Sequence, residues 1–312
     1  MFVEKLKNKI KNIIVLNNFD GVATEWLNYK KNSVKYSTYC NYKYIVENYL
    51  MPEFRKKDIR KLTDFNDFIT GLSDRLSPKT VRDITSVLKA ILNYYENEKE
   101  KKLKYKKMSV PRVEKKKIRV LTYKEKMRLQ KKCIDDNSLP SLGIVMALNT
   151  GMRIGEVCAL KWDDMDLGAK CIHINHTAQR VYRGKGIRTQ VMVSTPKTQC
   201  SVRTIPINKK LYRIVSPLKK KYSPNCFVLT GKEDVCMDPQ RYEVLFQKKL
   251  KENKIRKCGF HTLRHTFSTN CVEVGMDIKA LSEILGHSSV SITLDIYVHS
   301  SYKVKKKFLE KL

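Results

Sequence analysis

Three basic side chains stand within five residues in HTLRHTF: His261, Arg264 and His265. Offsets of three and four place them on one face of a helix. A single helical histidine is usually structural, so the cluster carries the signal. His287 follows a helix-ending glycine, Gly286; Arg153 lies in TGMRIGE, and it and Arg264 are each set in apolar sequence. Burying an arginine is costly unless an anion or carboxylate accompanies it. Glu156, one turn after Arg153, is the local partner for that guanidinium. Two arginines and several histidines suit one phosphate group. Guanidinium forks hold phosphate oxygens in pairs and keep their charge at physiological pH. They also stabilise the extra charge of a pentacoordinate phosphorus transition state. No GxxxxGK[ST] loop is present, so a nucleotide is not the expected energy source.

Such a site needs a nucleophile and an acid. Tyr297 lies ten residues after His287 in LGHSSVSITLDIYVH. The chain has 16 tyrosines, so only its position beside the basic cluster distinguishes this one. A free phenol has a pKa of about 10, and neighbouring arginines favour the phenolate. Its attack on a phosphodiester leaves a phosphotyrosyl bond that stores the linkage for rejoining. The departing hydroxyl needs a proton, and Lys197, in a turn between strands, suits that task. The competing design uses carboxylates and metal ions. Its best candidates, Asp163, Asp164 and Asp166, read more simply as an acidic turn after Trp162, and no second acidic cluster accompanies them. No metal and no cofactor are therefore expected.

The elements that must carry these residues follow from periodicity. Residues 19–97 read as helices: one around Trp26 and Leu27, one carrying Tyr39 to Leu50 and stopping at Pro52, a short one at Phe65–Leu72, and one beginning at Ser77-Pro78. Residues 98–120 have a linker's composition. Thr122 and Glu125 form a capping box for the next helix. Between residues 171 and 207, CIHIN, IRTQVMVS and VRTIPI read as one small antiparallel sheet. Helices are expected at Phe260–Val274 and Asp277–Leu285, the second capped by Asp277 and ended by Gly286. Of 312 residues, 63 are Lys or Arg against 31 Asp or Glu, a formal charge of +32 with 42% apolar residues. That is a folded protein whose field favours a polyanion, above all nucleic acid. No apolar run approaches the ~20 residues of a membrane span. Nine cysteines without CxxC spacing, and no signal-peptide core, point to reduced thiols in a cytoplasmic protein.

Four segments together resemble the tyrosine recombinases, or phage-type integrases: TGMRIGEVCALKWDDMD, the turn lysine of TPKT with SVRTIPI, HTLRHTFSTN, and LGHSSVSITLDIYVH. Residues 24–54 are similar to the core-binding domain of integrases from Gram-positive mobile elements. The resemblance implies a mainly α fold: an N-terminal helical, SAM-like core-binding domain, then an α+β catalytic domain with a small antiparallel sheet. The expected division is an N-terminal extension at 1–18, a core-binding domain at 19–112, a linker at 113–120 and a catalytic domain with its tail at 121–312. It further implies that Arg153 and Arg264 hold the scissile phosphate, Lys197 protonates the 5′-oxygen, and His261 assists proton transfer. His287 takes the position held by histidine or tryptophan, Tyr297 forms the 3′-phosphotyrosine, and Glu156 supports Arg153. His265 is left to packing. The implied partners are double-stranded DNA, three further copies of the chain in a synaptic tetramer, and an accessory directionality factor, at the bacterial nucleoid. Within the family, integration and excision of a mobile element, resolution of chromosome dimers and DNA inversion all remain open. A type IB topoisomerase shares the chemistry, and a non-catalytic DNA-binding factor would have lost one of the six residues. The tail, SSYKVKKKFLEKL, repeats Val304, Phe308, Leu309 and Leu312 at helical spacing and needs a surface to pack on.

Overall fold

The computed structural model describes residues 17–114, 119–184, 186, 189–196, 199–291, 293–294 and 310. The N-terminal extension through residue 16, the tail at 300–309, and both Lys197 and Tyr297 lie outside them. The chain divides into two compact units, Met1–Lys116 with Val181–Gln190, and Lys117–Arg180 with Val191–Leu312.

The first unit is helical: α1 (Phe19–Ser33), α2 (Tyr36–Ile45), α3 (Met51–Phe54), α4 (Asn66–Ser73) and α5 (Pro78–Lys99). Helix α1 buries Phe19, Val22, Ala23, Trp26 and Leu27, the three-and-four spacing of a single apolar stripe. Helix α5 starts at Ser77, whose side chain accepts the Thr80 N–H, and buries Val81, Ile84, Leu88, Ile91 and Leu92. The helical run does not stop at Pro52, as its ring suggested. A π-helical turn at Val46–Leu50 leads directly into α3, and Pro52 occupies the first turn of that helix, where no N–H donor is needed. The stretch after α5 also departs from a free linker. Its backbone is irregular, yet Leu103, Tyr105, Met108 and Val110 pack on the helical core, and Asn66 accepts the Ser109 N–H.

The second unit opens with α6 (Tyr123–Asp136), α7 (Leu139–Thr150) and α8 (Ile154–Ala159). The capping box forms as expected: Glu125 accepts the Thr122 N–H at 2.8 Å and Thr122 accepts the Glu125 N–H at 3.2 Å. Helix α7 is apolar on all sides and buried along nearly its whole length, so it is the axle of this unit. Strands β1 (Met165–Asp166), β2 (Cys171–Ile174) and β5 (Arg203–Pro206) form one antiparallel sheet, with Ile172 opposite Ile205. β3 (Thr177–Tyr182) and β4 (Thr189–Ser194) form a separate two-stranded sheet. IRTQVMVS was expected to share a sheet with CIHIN, but it pairs instead with the segment that follows CIHIN. Buried Ile172, Ile174 and Ile205 favour pairing β2 with β5 over the core. Helices α9 (Lys209–Lys219), α10 (Pro239–Glu252), α11 (His261–Glu273) and α12 (Ile278–Leu285) complete the unit.

α7 leaves no room at Gly143. A Cβ there would collide with the Tyr242 hydroxyl and stand 2.5 Å from a Leu229 methyl. Tyr242 cannot yield, because it is fully buried and donates to the Pro140 carbonyl at 2.7 Å. Gly143→Ala is therefore expected to destabilise the protein by about 2 kcal/mol, seen as a lower urea midpoint with an unchanged slope. A midpoint equal to that of the parent would show that α7 packs more loosely than described.

Candidate active site

The site is built on the last turn of α12. Gly286 closes that helix in the left-handed conformation at φ 64°. A helix end leaves carbonyls without intrahelical donors and carries partial negative charge. Three successive carbonyls here each accept from a different arginine. Arg203 Nε donates to Ile284 at 2.6 Å, Arg264 Nη2 to Leu285 at 2.6 Å, and Arg153 Nη2 to Gly286 at 3.0 Å. The three arginines come from β5, α11 and the residue preceding α8.

Glu156 joins two of them. Its Oε1 accepts from Arg153 Nη1 at 2.7 Å and from Arg203 Nη1 at 2.9 Å. Its Oε2 accepts the Arg153 N–H and Arg203 Nη2, both at 2.8 Å. Burial pushes this carboxyl up, but bonds from Arg203, its charge and the Arg153 charge outweigh that and hold it at about 2. Arg264 is 2% exposed, with its second fork nitrogen bonded to the Gly151 carbonyl at 3.0 Å. Gly151, at φ 68°, has no space for a side chain against Phe267 and Leu285. Burial and then the Arg153 charge lower Arg264 to about 9, so it stays charged at neutral pH. Among the described residues, Arg153, Arg203 and Arg264 against Glu156 leave two net positive charges in this cluster, a field that draws an anion.

The histidines meet the same charges. His261 and His265 stack edge to face, with centroids 4.6 Å apart. Burial, then His265, Arg264 and Arg153, lower His261 to about 4. Its surface is nonetheless exposed, so the cationic neighbours are the firmer cause. His287 Nδ1 pairs with Thr293 Oγ1 at 2.8 Å, and burial with Arg264 and Arg153 lowers it to about 4. His265 is lowered by burial and Arg264, and its Nδ1 is buried without a partner among the described residues. The structure thus brings Arg153, Glu156, Arg264, His261 and His287 together. Asp164 and Asp166 serve their own turn instead: Asp164 accepts the Lys161 N–H and Asp166 the Ala169 N–H. Arg203 is the residue that sequence reasoning missed. It stood inside SVRTIPI, and its strand alternation with buried Ile205 was the available signal.

Residues 114–304 match the model of the phage integrase family, and residues 18–66 match the N-terminal SAM-like domain of phage integrases. The ICEBs1 integrase of Bacillus subtilis is 28% identical, across 88% of this chain and 77% of that protein. A tyrosine recombinase XerC-like protein of Caldanaerobacter subterraneus is also 28% identical, and the chain spans 66% of its length. Among solved structures, the Tn1549 transposon integrase bound to transposon right end DNA matches with a TM-score of 0.74 and 22% identity, over 95% of this chain and 99% of that one. A lambda integrase tetramer bound to a Holliday junction matches at 0.62 and 16%, over 88% and 76%. The fold and these matches agree on one class, the enzymes that break and rejoin DNA through a tyrosine. The chain belongs to the phage integrase family, and its activity is site-specific DNA recombination.

The depressed histidines set a pH dependence. Folded values near 4 lie below the ordinary 6.5, so the unfolded chain binds more protons between those limits. Stability is then fully present above about pH 6.5 and is lost as pH falls toward 4. Melting temperature should drop across that interval in the parent and drop less in His287→Gln. Equal slopes for both proteins would show that neither burial nor the arginines depress His287.

Proposed function

We propose that this chain cleaves and rejoins DNA with six residues, Arg153, Lys197, His261, Arg264, His287 and Tyr297, for integration and excision of a mobile element. The convergence of Arg153 and Arg264 on neighbouring carbonyls of one helix end carries the reading. It aims two fixed cations at one place, and such preorganised charge is the main means of stabilising a phosphorane. In this reading the Tyr297 oxygen attacks the scissile phosphorus and its proton passes to His261, which is neutral at pH 7. The bond to the 5′-oxygen breaks, that oxygen takes a proton from Lys197, and the phosphate remains on Tyr297. Religation reverses these transfers. Glu156 holds Arg153, and His287 borders the phosphate.

Residues 19–112 are proposed to grip the duplex and 121–312 to carry the chemistry, with 113–120 between them. The working assembly is a tetramer on paired sites, a reading supported by the similarity to the lambda integrase tetramer. An accessory directionality factor and action at the bacterial nucleoid belong to the same proposal. The mobile-element role rests on similarity to the ICEBs1 and Tn1549 integrases. Resolution of chromosome dimers is the second reading within the family, and attachment-site junctions flanking the gene distinguish the two.

Tyr297→Phe should abolish the covalent adduct on a nicked suicide substrate while DNA affinity stays within about twofold, because a single oxygen is removed and affinity is spread over many phosphate contacts. An adduct that persists would overturn the nucleophile assignment. Cleavage should survive EDTA, since arginine and lysine cations serve the phosphate. Loss on chelation, restored by magnesium, would return the mechanism to Asp163, Asp164 and Asp166. Deleting residues 303–312 should weaken paired-site complexes in native gels more than single-site binding. Equal loss of both would make the tail a local packing element.

A further inference from the structure

Arg203 has no place in that reaction, yet its side chain makes four hydrogen bonds among the described residues, as many as that of Glu156. All three of its guanidinium nitrogens donate: Nε to Ile284, Nη1 to Glu156 and Ser201, and Nη2 to Glu156. Its side chain is 5% exposed and that of Glu156 is 3%, whereas that of Arg153 is 35%. Substrate can therefore reach Arg153 and not Arg203. A buried carboxylate beside one arginine would draw that guanidinium into a two-pronged pair. Here Arg203 already spans both carboxylate oxygens. Among the described residues, the Arg153 side chain makes one bond to Glu156 and one to Gly286, two of its five N–H groups.

We propose that Arg203 is a positioning residue for strand cleavage: by saturating Glu156 and tying β5 to the end of α12, it turns the Arg153 guanidinium outward to the scissile phosphate. This rests on the assignment of Arg153 to that phosphate. The same bonds fix the turn that carries His287. A Cβ on Gly286 would stand 2.9 Å from Arg203 Cδ, so guanidinium stem and helix end are fitted to each other. Lysine cannot replace it, because one ammonium lacks the fork that spans a carboxylate and a carbonyl together.

The test is single-turnover formation of the covalent adduct at saturating protein, with DNA affinity by fluorescence anisotropy and thermal melting measured alongside. The paired variant Glu156→Gln with Arg203→Met removes both buried charges, so neither is left alone. It should melt and bind DNA as the parent does, while its cleavage rate falls about 100-fold, the scale of a misplaced catalytic group. Arg203→Lys should likewise keep its affinity and lose rate. A paired variant that cleaves at the parent rate overturns the proposal. So does failure of both variants to fold, which would make Arg203 a folding residue only. Arg153→Gln separates the two levels: if it keeps the parent rate, the assignment of Arg153 fails and the role of Arg203 with it. If it is inactive while the paired variant is fully active, only the role of Arg203 fails.

Discussion

Three guanidinium groups competing for the carbonyls at one helix end are the constraint on which this structure turns. An arginine can be buried only where its N–H groups find acceptors. The last turn of α12 offers carbonyls that lack intrahelical donors, and its dipole adds negative potential there. Ile284, Leu285 and Gly286 each take one arginine, from β5, α11 and the entrance to α8. Three elements distant in sequence are thereby drawn to one point. That point lies beside His287, and Gly286 makes the turn by adopting a backbone conformation that would cost other residues energy.

Glu156 determines how the charge is divided. A single buried carboxylate among three arginines compensates part of the cationic field and leaves the rest for an anion. It holds Arg203 with both oxygens, so Arg153 stays partly open. The surplus charge has a second effect, on the imidazoles. His261 is kept neutral at physiological pH chiefly by its cationic neighbours, and His287 by burial and by the arginines. A neutral imidazole can accept a proton, which an imidazolium cannot. An approaching phosphate would raise both values, because an anion favours the protonated imidazole.

The core behind the site makes this arrangement rigid. Helix α11 lies against α7 and turns buried Leu263 and Thr266 inward while Arg264 faces α12. Two of its buried hydroxyls are satisfied, as Thr266 donates to the Thr262 carbonyl and accepts the Leu121 N–H, and Ser268 donates to the Arg264 carbonyl. Because α7 is apolar all round, it can be packed on every side, and its end at Gly151 supplies the carbonyl that holds Arg264. The cluster is thus held by contacts within the protein itself, and charges fixed in that way lower a barrier.

Much of this was legible in the chain because it depends on short-range periodicity. The helix carrying His261 and Arg264, the Thr122–Glu125 capping box, the Asp277 cap and the Gly286 stop are all set by residues within a few positions of each other. The +32 charge and the four boxes indicated the polyanionic substrate and the family. What the chain did not disclose was decided by partners remote in sequence. β4 pairs with β3 and not with β2, because β2 and β5 have the isoleucines that close the core. The segment around Met108 is docked, because a few apolar residues in a charged stretch find a surface only once α1 to α5 are packed. Arg203 and Glu156 are 47 positions apart, and no local pattern joins them. Their pairing exists because a buried carboxylate and a buried guanidinium are each prohibitive alone, and only the tertiary fold brings the two to the same helix end.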